Sequence, residues 1–251
     1  MIETEIIVPN ECSIDKVSGA CTPIVQAAIE SYCRDLDKLL VSVRLLGSVG
    51  RGENVFGASD IGFVGLVSMS PDAHQRDRVA TDSNRLTRNH QCVSVVGLDI
   101  GIKGRVQPLQ EFIFQTDSVC IWGADVYSAT EKRMAKSSLA KLTTPDFNKI
   151  VSGYRQRLKV SLNSQELGQF GRSVGKEILR CFRKYLVLRL GVYRKSTTDI
   201  HNQLVTYFPD KSETFNCLLR LYEQPVERKD ELLEILKMAQ ASHASLENTS
   251  L

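Results

Sequence analysis

The segment spanning residues 45–66, LLGSVGRGENVFGASDIGFVGL, constrains this chain more than any other. It predicts a strand that ends at Gly47-Ser48, a polar loop rich in glycine, and a second strand that opens with Asp60. A Gly-Ser turn at a strand end exposes backbone N–H groups and one hydroxyl, and both suit phosphate oxygens. The carboxylate of Asp60 would lie beside that turn, where it could hold a divalent cation against the same phosphates.

A second acid, Asp99, lies in the apolar stretch VVGLDIGI. A carboxylate in an apolar strand is costly unless it is paired, hydrogen-bonded or bound to a metal. Two acids and a phosphate-type turn on neighbouring strands are the arrangement expected for metal-assisted phosphoryl or nucleotidyl transfer. We therefore take Asp60 and Asp99 as candidate catalytic and metal-binding residues.

The first half of the chain is predicted to be mixed α/β. Apolar residues at helical spacing predict a helix over residues 23–40, with Thr22 as its N-cap, and the polar stretch 71–90 predicts an exposed helix. Enrichment in valine and isoleucine predicts strands. The predicted strands are residues 41–46, 60–68, 92–102 and 112–122.

The second half is predicted to be helical, with a domain boundary near residues 123–130. We expect domains at residues 1–125 and 126–251, the second being a helical bundle. Its clearest helix covers residues 172–190, with Ile178, Leu179 and Phe182 on one face. Residues 151–200 hold eleven lysines and arginines against three acids, and such an excess suggests an anionic partner.

Composition narrows the class of protein further. The longest stretch without charge, residues 17–29, is well short of the roughly 20 residues that span a bilayer. The acidic start MIETEII does not resemble a secretory signal. The seven cysteines include no C-x-x-C pair, which argues against a disulfide framework and a structural zinc site. We expect a cytoplasmic protein that does not bind membranes.

At these residues the chain resembles the nucleotidyltransferases of the DNA polymerase beta superfamily. Their signature is an apolar residue, Gly-Gly or Gly-Ser, nine to thirteen residues, Asp-apolar-Asp/Glu, and a third acid on a later strand. Here eleven residues separate Ser48 from Asp60, and Asp99 stands where the third acid belongs. Residues 112–125 resemble the closing strand and Gly-x-Asp turn of small-molecule members, and a helical second half is similar to that of aminoglycoside and related antibiotic nucleotidyltransferases.

The resemblance implies an α+β fold: a nucleotidyltransferase domain with a mixed β-sheet flanked by helices, then an all-helical C-terminal domain. It implies Mg²⁺-dependent transfer of a nucleoside monophosphate from a nucleoside triphosphate to a hydroxyl of a small molecule or protein, releasing pyrophosphate. Asp60 would bind Mg²⁺, and Asp99 would bind a second ion or act as a base. The implied nucleotide-binding residues are Gly47, Ser48, Arg51, Ser59, Lys176 and Arg180.

One position departs from the signature: Gly62 stands where the second motif carboxylate belongs. Acids at i and i+2 share one face of a strand and reach the same two ions, which need bridging anions to offset their repulsion. The alternative is therefore a catalytically degenerate member of the fold that binds nucleotide or a protein partner without turnover. A nucleic-acid-binding role for the basic segment is a third reading. It is disfavoured because aromatic residues are sparse there and no nucleic-acid-binding motif accompanies them.

Overall fold

A computed structural model describes residues 4–160 and 162–248, except for the side chain of Gln165. Among these residues, Ile7–Arg133 form one compact unit, and those after Arg133 form another with the few that precede Ile7. The architecture is α+β, as the sequence predicts: a mixed sheet with helices, followed by a helical second half. The boundary at residues 125 and 126, for independently folding domains, stays a prediction.

The first unit is built on a four-stranded sheet with the strands β2 (Leu40–Leu46), β3 (Ile61–Val67), β4 (Val96–Ile102) and β5 (Ser118–Gly123). Their order in the sheet is β4-β3-β2-β5. Strand β2 is antiparallel to both neighbours, whereas β3 and β4 run parallel. The helices of this unit are α1 (Thr22–Leu36), α2 (Ser48–Arg51), α3 (Ala73–Asn89) and α4 (Pro108–Thr116). A separate two-stranded sheet pairs β1 (Glu5–Pro9) with β6 (Glu131–Ala135).

One face of the four-stranded sheet carries the core that includes side chains of α1 and α3. Helix α3 joins the parallel strands β3 and β4, as such a connection requires. It begins with a capping box in which Asp72 and Gln75 satisfy each other's backbone N–H groups. Helix α1 begins one residue before the predicted start: its N-cap is Cys21 rather than Thr22, and Pro23 lies in its first turn, where no N–H bond is lost.

The opposite face of the sheet is only partly covered. Strand alternation places Val64 and Leu66 on this face, where they pack against Phe114 of α4. Arg44 of β2 is fully buried there. Its guanidinium donates to the Ser118 hydroxyl at 2.8 Å and to a main-chain carbonyl at 3.1 Å, and it forms an ion pair with Asp125.

The predicted strand at residues 112–122 is wrong in its first half. The chain forms α4 up to Thr116 and only then enters β5. A short apolar run such as FIF is compatible with either a buried helix or a strand, so periodicity alone does not separate them. Pro108 at the first helical position and Glu111 in the first turn are the local signals that favour the helix.

The second unit is a helical assembly around one apolar core. Its helices are α5 (Lys136–Thr143), α6 (Phe147–Arg157), α7 (Ser164–Tyr185), α8 (Thr197–Tyr207), α9 (Ser212–Glu223) and α10 (Lys229–Asn248). The predicted helix 172–190 lies within α7 and a wider π-helical turn, Leu186–Leu190, that ends at Gly191. The predicted apolar face is confirmed, since Ile178, Leu179 and Phe182 are fully buried. Within the described ranges, no helix is both long and apolar enough to cross a membrane.

Several cations of the basic segment have structural partners. The Arg183 guanidinium is buried and donates to the carbonyl of Thr143, the last residue of α5, at 2.8 Å. Arg189 donates to the Leu246 carbonyl at 2.8 Å, and Lys184 pairs with Glu247 at 3.1 Å. Part of the excess charge therefore stabilises helix ends and helix contacts inside the second unit.

Replacing Asp125 with Asn should lower the free energy of unfolding by about 1.5–3 kcal/mol, because the buried Arg44 guanidinium loses the charge of a carboxylate partner that is itself 38% exposed. Urea titration of the wild type and the variant measures the difference. The matched control is Glu131→Gln, which removes the carboxylate of the solvent-exposed pair with Arg133 and should cost at most about 1 kcal/mol. Equal losses in the two variants would contradict the structural role of Asp125.

The stability of the helical unit should fall below neutral pH because of His243. Its ring stacks on Phe147 with centroids 3.9 Å apart, and burial lowers its pKa, outweighing the opposing effect of Glu247, while Lys184 lowers it further. The unfolded chain then takes up a proton below about pH 6.5 that the folded chain does not, so stability is lost as pH falls towards the folded pKa.

Thermal unfolding at pH 7.5 and pH 5 tests this expectation. His243→Phe keeps an aromatic ring at the site and removes the titrating group, so the variant should lose less of its melting temperature between the two pH values than the wild type. Identical losses would show that His243 does not titrate differently in the two states.

Candidate functional site

The predicted Gly-Ser turn follows directly on β2. Gly47 has φ 73° and ψ −145°, a conformation that is essentially restricted to glycine, and it leads into the single turn α2. The Gly47 N–H donates to the Asp117 carbonyl at 3.0 Å, which ties the turn to the residue just before β5. Ser48, at the start of α2, is half-buried. The glycine that the sequence has at this turn is thus the residue that the backbone conformation there requires.

Arg51, a predicted nucleotide-binding residue, forms two ion pairs beside the turn. Its side chain is 5% exposed, it pairs with Glu53 at 2.7 Å, and it forms a second ion pair with Asp117. The two carboxylates raise the pKa of the guanidinium, although burial opposes them. The side chain thus holds the loop after β2 against the start of β5, and its contact with nucleotide stays a prediction.

Ser59 is also a structural residue of the loop. It is buried, its hydroxyl accepts a bond from the Val55 N–H at 2.8 Å, and its own N–H donates back to Val55 at 2.9 Å. The Ser59 carbonyl accepts from the Ser94 N–H at 2.9 Å, which anchors the loop on the chain just before β4. These bonds fix the backbone immediately before Asp60.

Asp60 and Asp99 are both exposed and lie on the same face of the sheet. The parallel register pairs Gly62 with Gly97 and Val64 with Asp99. Paired residues share a face, and so do residues two apart along a strand, so Asp60 and Asp99 project on the side opposite to α1 and α3. The bond from the Ile61 N–H to the Val95 carbonyl extends the pairing back towards Asp60.

The same register separates the two acids. Asp60 lies two residues before Gly62, and Asp99 lies two residues after its partner Gly97. At about 3.3 Å per residue, the acids are offset by about 13 Å along the strands, in addition to one interstrand spacing. Two aspartates so far apart cannot share one ion at Mg–O distances of about 2.0–2.1 Å.

Gly62 occupies the position midway between the two acids. A side chain fits there, since a Cβ atom built on Gly62 has its nearest neighbour, the Leu46 Cβ, at 3.8 Å. An acid at this position would bridge Asp60 and Asp99, as the signature requires. Without it, two ions would have no bridging carboxylate between them.

Among the described residues, a metal ion has few candidate ligands on this face. In this part of the chain, no group of three or more histidines, cysteines or acids could hold a metal. Mg²⁺ usually binds through one or two carboxylates, with substrate phosphates and water completing its coordination. Asp60 could supply one such carboxylate, and its binding of Mg²⁺ stays a prediction.

Lys176 and Arg180 lie on α7 in the second unit, one helical turn apart and half-buried. They share one face of this helix, and their contact with nucleotide stays a prediction.

Asp117 and Arg44 also hold this region together, and neither was predicted from the sequence. Asp117 holds both the Gly47 turn and Arg51, whereas Arg44 fixes β5 and Asp125 on the face that carries the acids. Arg44 had a signal, because a charged residue in the apolar run LVSVRLL requires a buried partner.

Known proteins resemble this chain in structure, whereas no family model and no curated protein matches it. Among solved structures, it is similar to spectinomycin adenyltransferase AAD(9) from Enterococcus faecialis, determined with ATP and spectinomycin. The TM-score is 0.62 at 12% sequence identity, and the match covers 89% of this chain and 98% of that one. The predicted resemblance to antibiotic nucleotidyltransferases is thereby confirmed for the fold, a nucleotidyltransferase domain followed by a helical domain.

Proposed function

We propose that this protein transfers a nucleoside monophosphate from a nucleoside triphosphate to a hydroxyl group of a small molecule, with release of pyrophosphate. The observation that carries the proposal is the strand pairing: β2–β3 brings the chain just before β3, with Asp60, alongside the end of β2 where the Gly47 turn begins, and β3–β4 puts Asp99 on the same exposed sheet face. The shared fold with an adenyltransferase supports it.

In this proposal, the turn and Asp60 bind the triphosphate. The Ser48 hydroxyl and the backbone around Gly47 donate to phosphate oxygens, and Asp60 holds Mg²⁺ against them. The ion, when bound, neutralises phosphate charge and orients the leaving group. Lys176 and Arg180 contribute positive charge to nucleotide binding, and Arg51 acts indirectly by holding the loop.

Asp99 serves as the base in this proposal. Its distance from Asp60 favours this role over binding the same ion, because it leaves the carboxylate available to an acceptor hydroxyl. The hydroxyl oxygen attacks the α-phosphorus, its proton passes to Asp99, and the bond between the α-phosphorus and the bridging oxygen breaks. The products are the nucleotidylated acceptor and pyrophosphate.

A small molecule is the acceptor class we favour, because the structurally similar enzyme was solved with ATP and an antibiotic. A protein hydroxyl is the alternative acceptor. We expect nucleic acid not to be a substrate, since Arg183 and Arg189 of the basic segment are engaged within the helical unit.

The second candidate function is nucleotide binding without turnover. Gly62 favours it, because the position that would bridge the two acids has no side chain. A protein of this kind would keep the triphosphate site at Asp60 and lose the transfer step.

Asp60→Asn should abolish most Mg²⁺-dependent binding of nucleoside triphosphates, because the amide is a poor ligand for the ion that holds the phosphates. Calorimetry with ATP, GTP, CTP and UTP, with and without Mg²⁺, measures the effect without knowledge of the acceptor. The matched control is Asp77→Asn on α3, an exposed acid on the helix that covers the other face of the sheet. Absence of binding to the wild-type chain would exclude both candidate functions at this site.

Gly62→Asp should raise the affinity for Mg²⁺ at least about tenfold in the absence of nucleotide, because it adds the missing carboxylate between Asp60 and Asp99. Gly62→Asn has nearly the same shape without the charge and should leave the affinity unchanged. Calorimetric titration with MgCl₂ gives the comparison. An equal affinity in both variants would mean that the two acids are not arranged around an ancestral metal centre.

A further inference from the structure

The strands β3 and β4 contain four glycines that fall into two classes. A Cβ atom on Gly65 would lie 2.7 Å from the Tyr32 ring, and one on Gly101 would lie 3.0 Å from the Leu66 side chain. Close packing therefore explains these two glycines. Gly62 and Gly97 have no such neighbour, since the nearest atoms to a Cβ lie at 3.8 Å and 3.9 Å.

Backbone conformation does not explain Gly62 and Gly97 either. Neither has a positive φ, and the β3–β4 register runs through both without a bulge. Glycine in a strand interior also carries an entropic cost that alanine avoids. The remaining reason for glycine in a strand is close approach of another group to the backbone.

The two glycines are direct neighbours in the register and lie between the two acids on the acid-bearing face. In the proposed reaction, the β- and γ-phosphates lie at Asp60 and the attacking hydroxyl lies at Asp99. The α-phosphorus must lie between leaving group and nucleophile, because the attacking and leaving oxygens are roughly in line. That position is over Gly62 and Gly97.

We infer that the nucleoside monophosphate portion of the triphosphate lies directly against the sheet backbone at Gly62 and Gly97. These two glycines therefore determine how much space the site offers to that portion. This inference depends on the proposed function. Glycine at position 62 then has two consequences. It removes the second carboxylate of the signature, and it makes room for the substrate.

Gly97→Ala tests the inference with MgATP and magnesium pyrophosphate as probes in calorimetry. The added methyl group should weaken MgATP binding by about ten- to a hundredfold, the usual effect of one misplaced methyl-sized group. Pyrophosphate lacks the nucleoside monophosphate portion, so its affinity should not change. The melting temperature should stay the same or rise slightly, because alanine fits the space and restricts the unfolded chain.

Gly62→Ala is the second variant and should behave in the same way. The matched control is Gly153→Ala on α6, an exposed glycine with no atom within 4 Å of a Cβ, which should leave both affinities unchanged. Unchanged MgATP affinity in both strand variants would overturn the inference and leave the proposed function standing. Equal losses for ATP and pyrophosphate would also overturn it. If the wild-type chain binds neither ligand, the proposed function fails and the inference fails with it.

Discussion

The pairing of β3 with β4 is the constraint on which the rest of the site depends. Strand β3 is antiparallel to β2 on one side and parallel to β4 on the other, so it joins the strand that ends in the Gly47 turn to the strand that carries Asp99. A shift of one residue in this pairing would turn Asp99 to the buried face, because side chains alternate along a strand. Tyr32 reinforces the register from the other face, since its hydroxyl donates to the carbonyls of Phe63 and Asp99.

The sequence predicted the parts of the molecule that local pattern controls. Apolar, β-branched runs located β2, β3 and β4. Residues 112–116 were misassigned because a short buried segment has no distinct period. The ion pair between Arg51 and Asp117 was not predicted, because the two residues are 66 positions apart, beyond any local signal.

The spacing between the two acids was equally out of reach of the sequence. A signature counts residues along the chain, whereas the separation of Asp60 from Asp99 is set by how β4 is aligned on β3 after the α3 crossover. That alignment follows from packing on the buried face, where Ile61, Phe63 and Val96 are fully buried. The positions of Asp60 and Asp99 on the opposite face are therefore set by packing in a core that contains neither residue.

The contact between Asp117 and the Gly47 turn also has a consequence for how the protein folds. Both the main chain and the Arg51 side chain of this region depend on Asp117, a residue contributed much later in the sequence. Contacts of high sequence separation close large loops and so tend to form slowly. The Gly47 turn therefore acquires its final shape only after the distant β5 segment has joined the sheet. A nascent chain that has been synthesised past the Gly47 turn, but not yet to Asp117, therefore contains the sequence motif without the final shape of the turn.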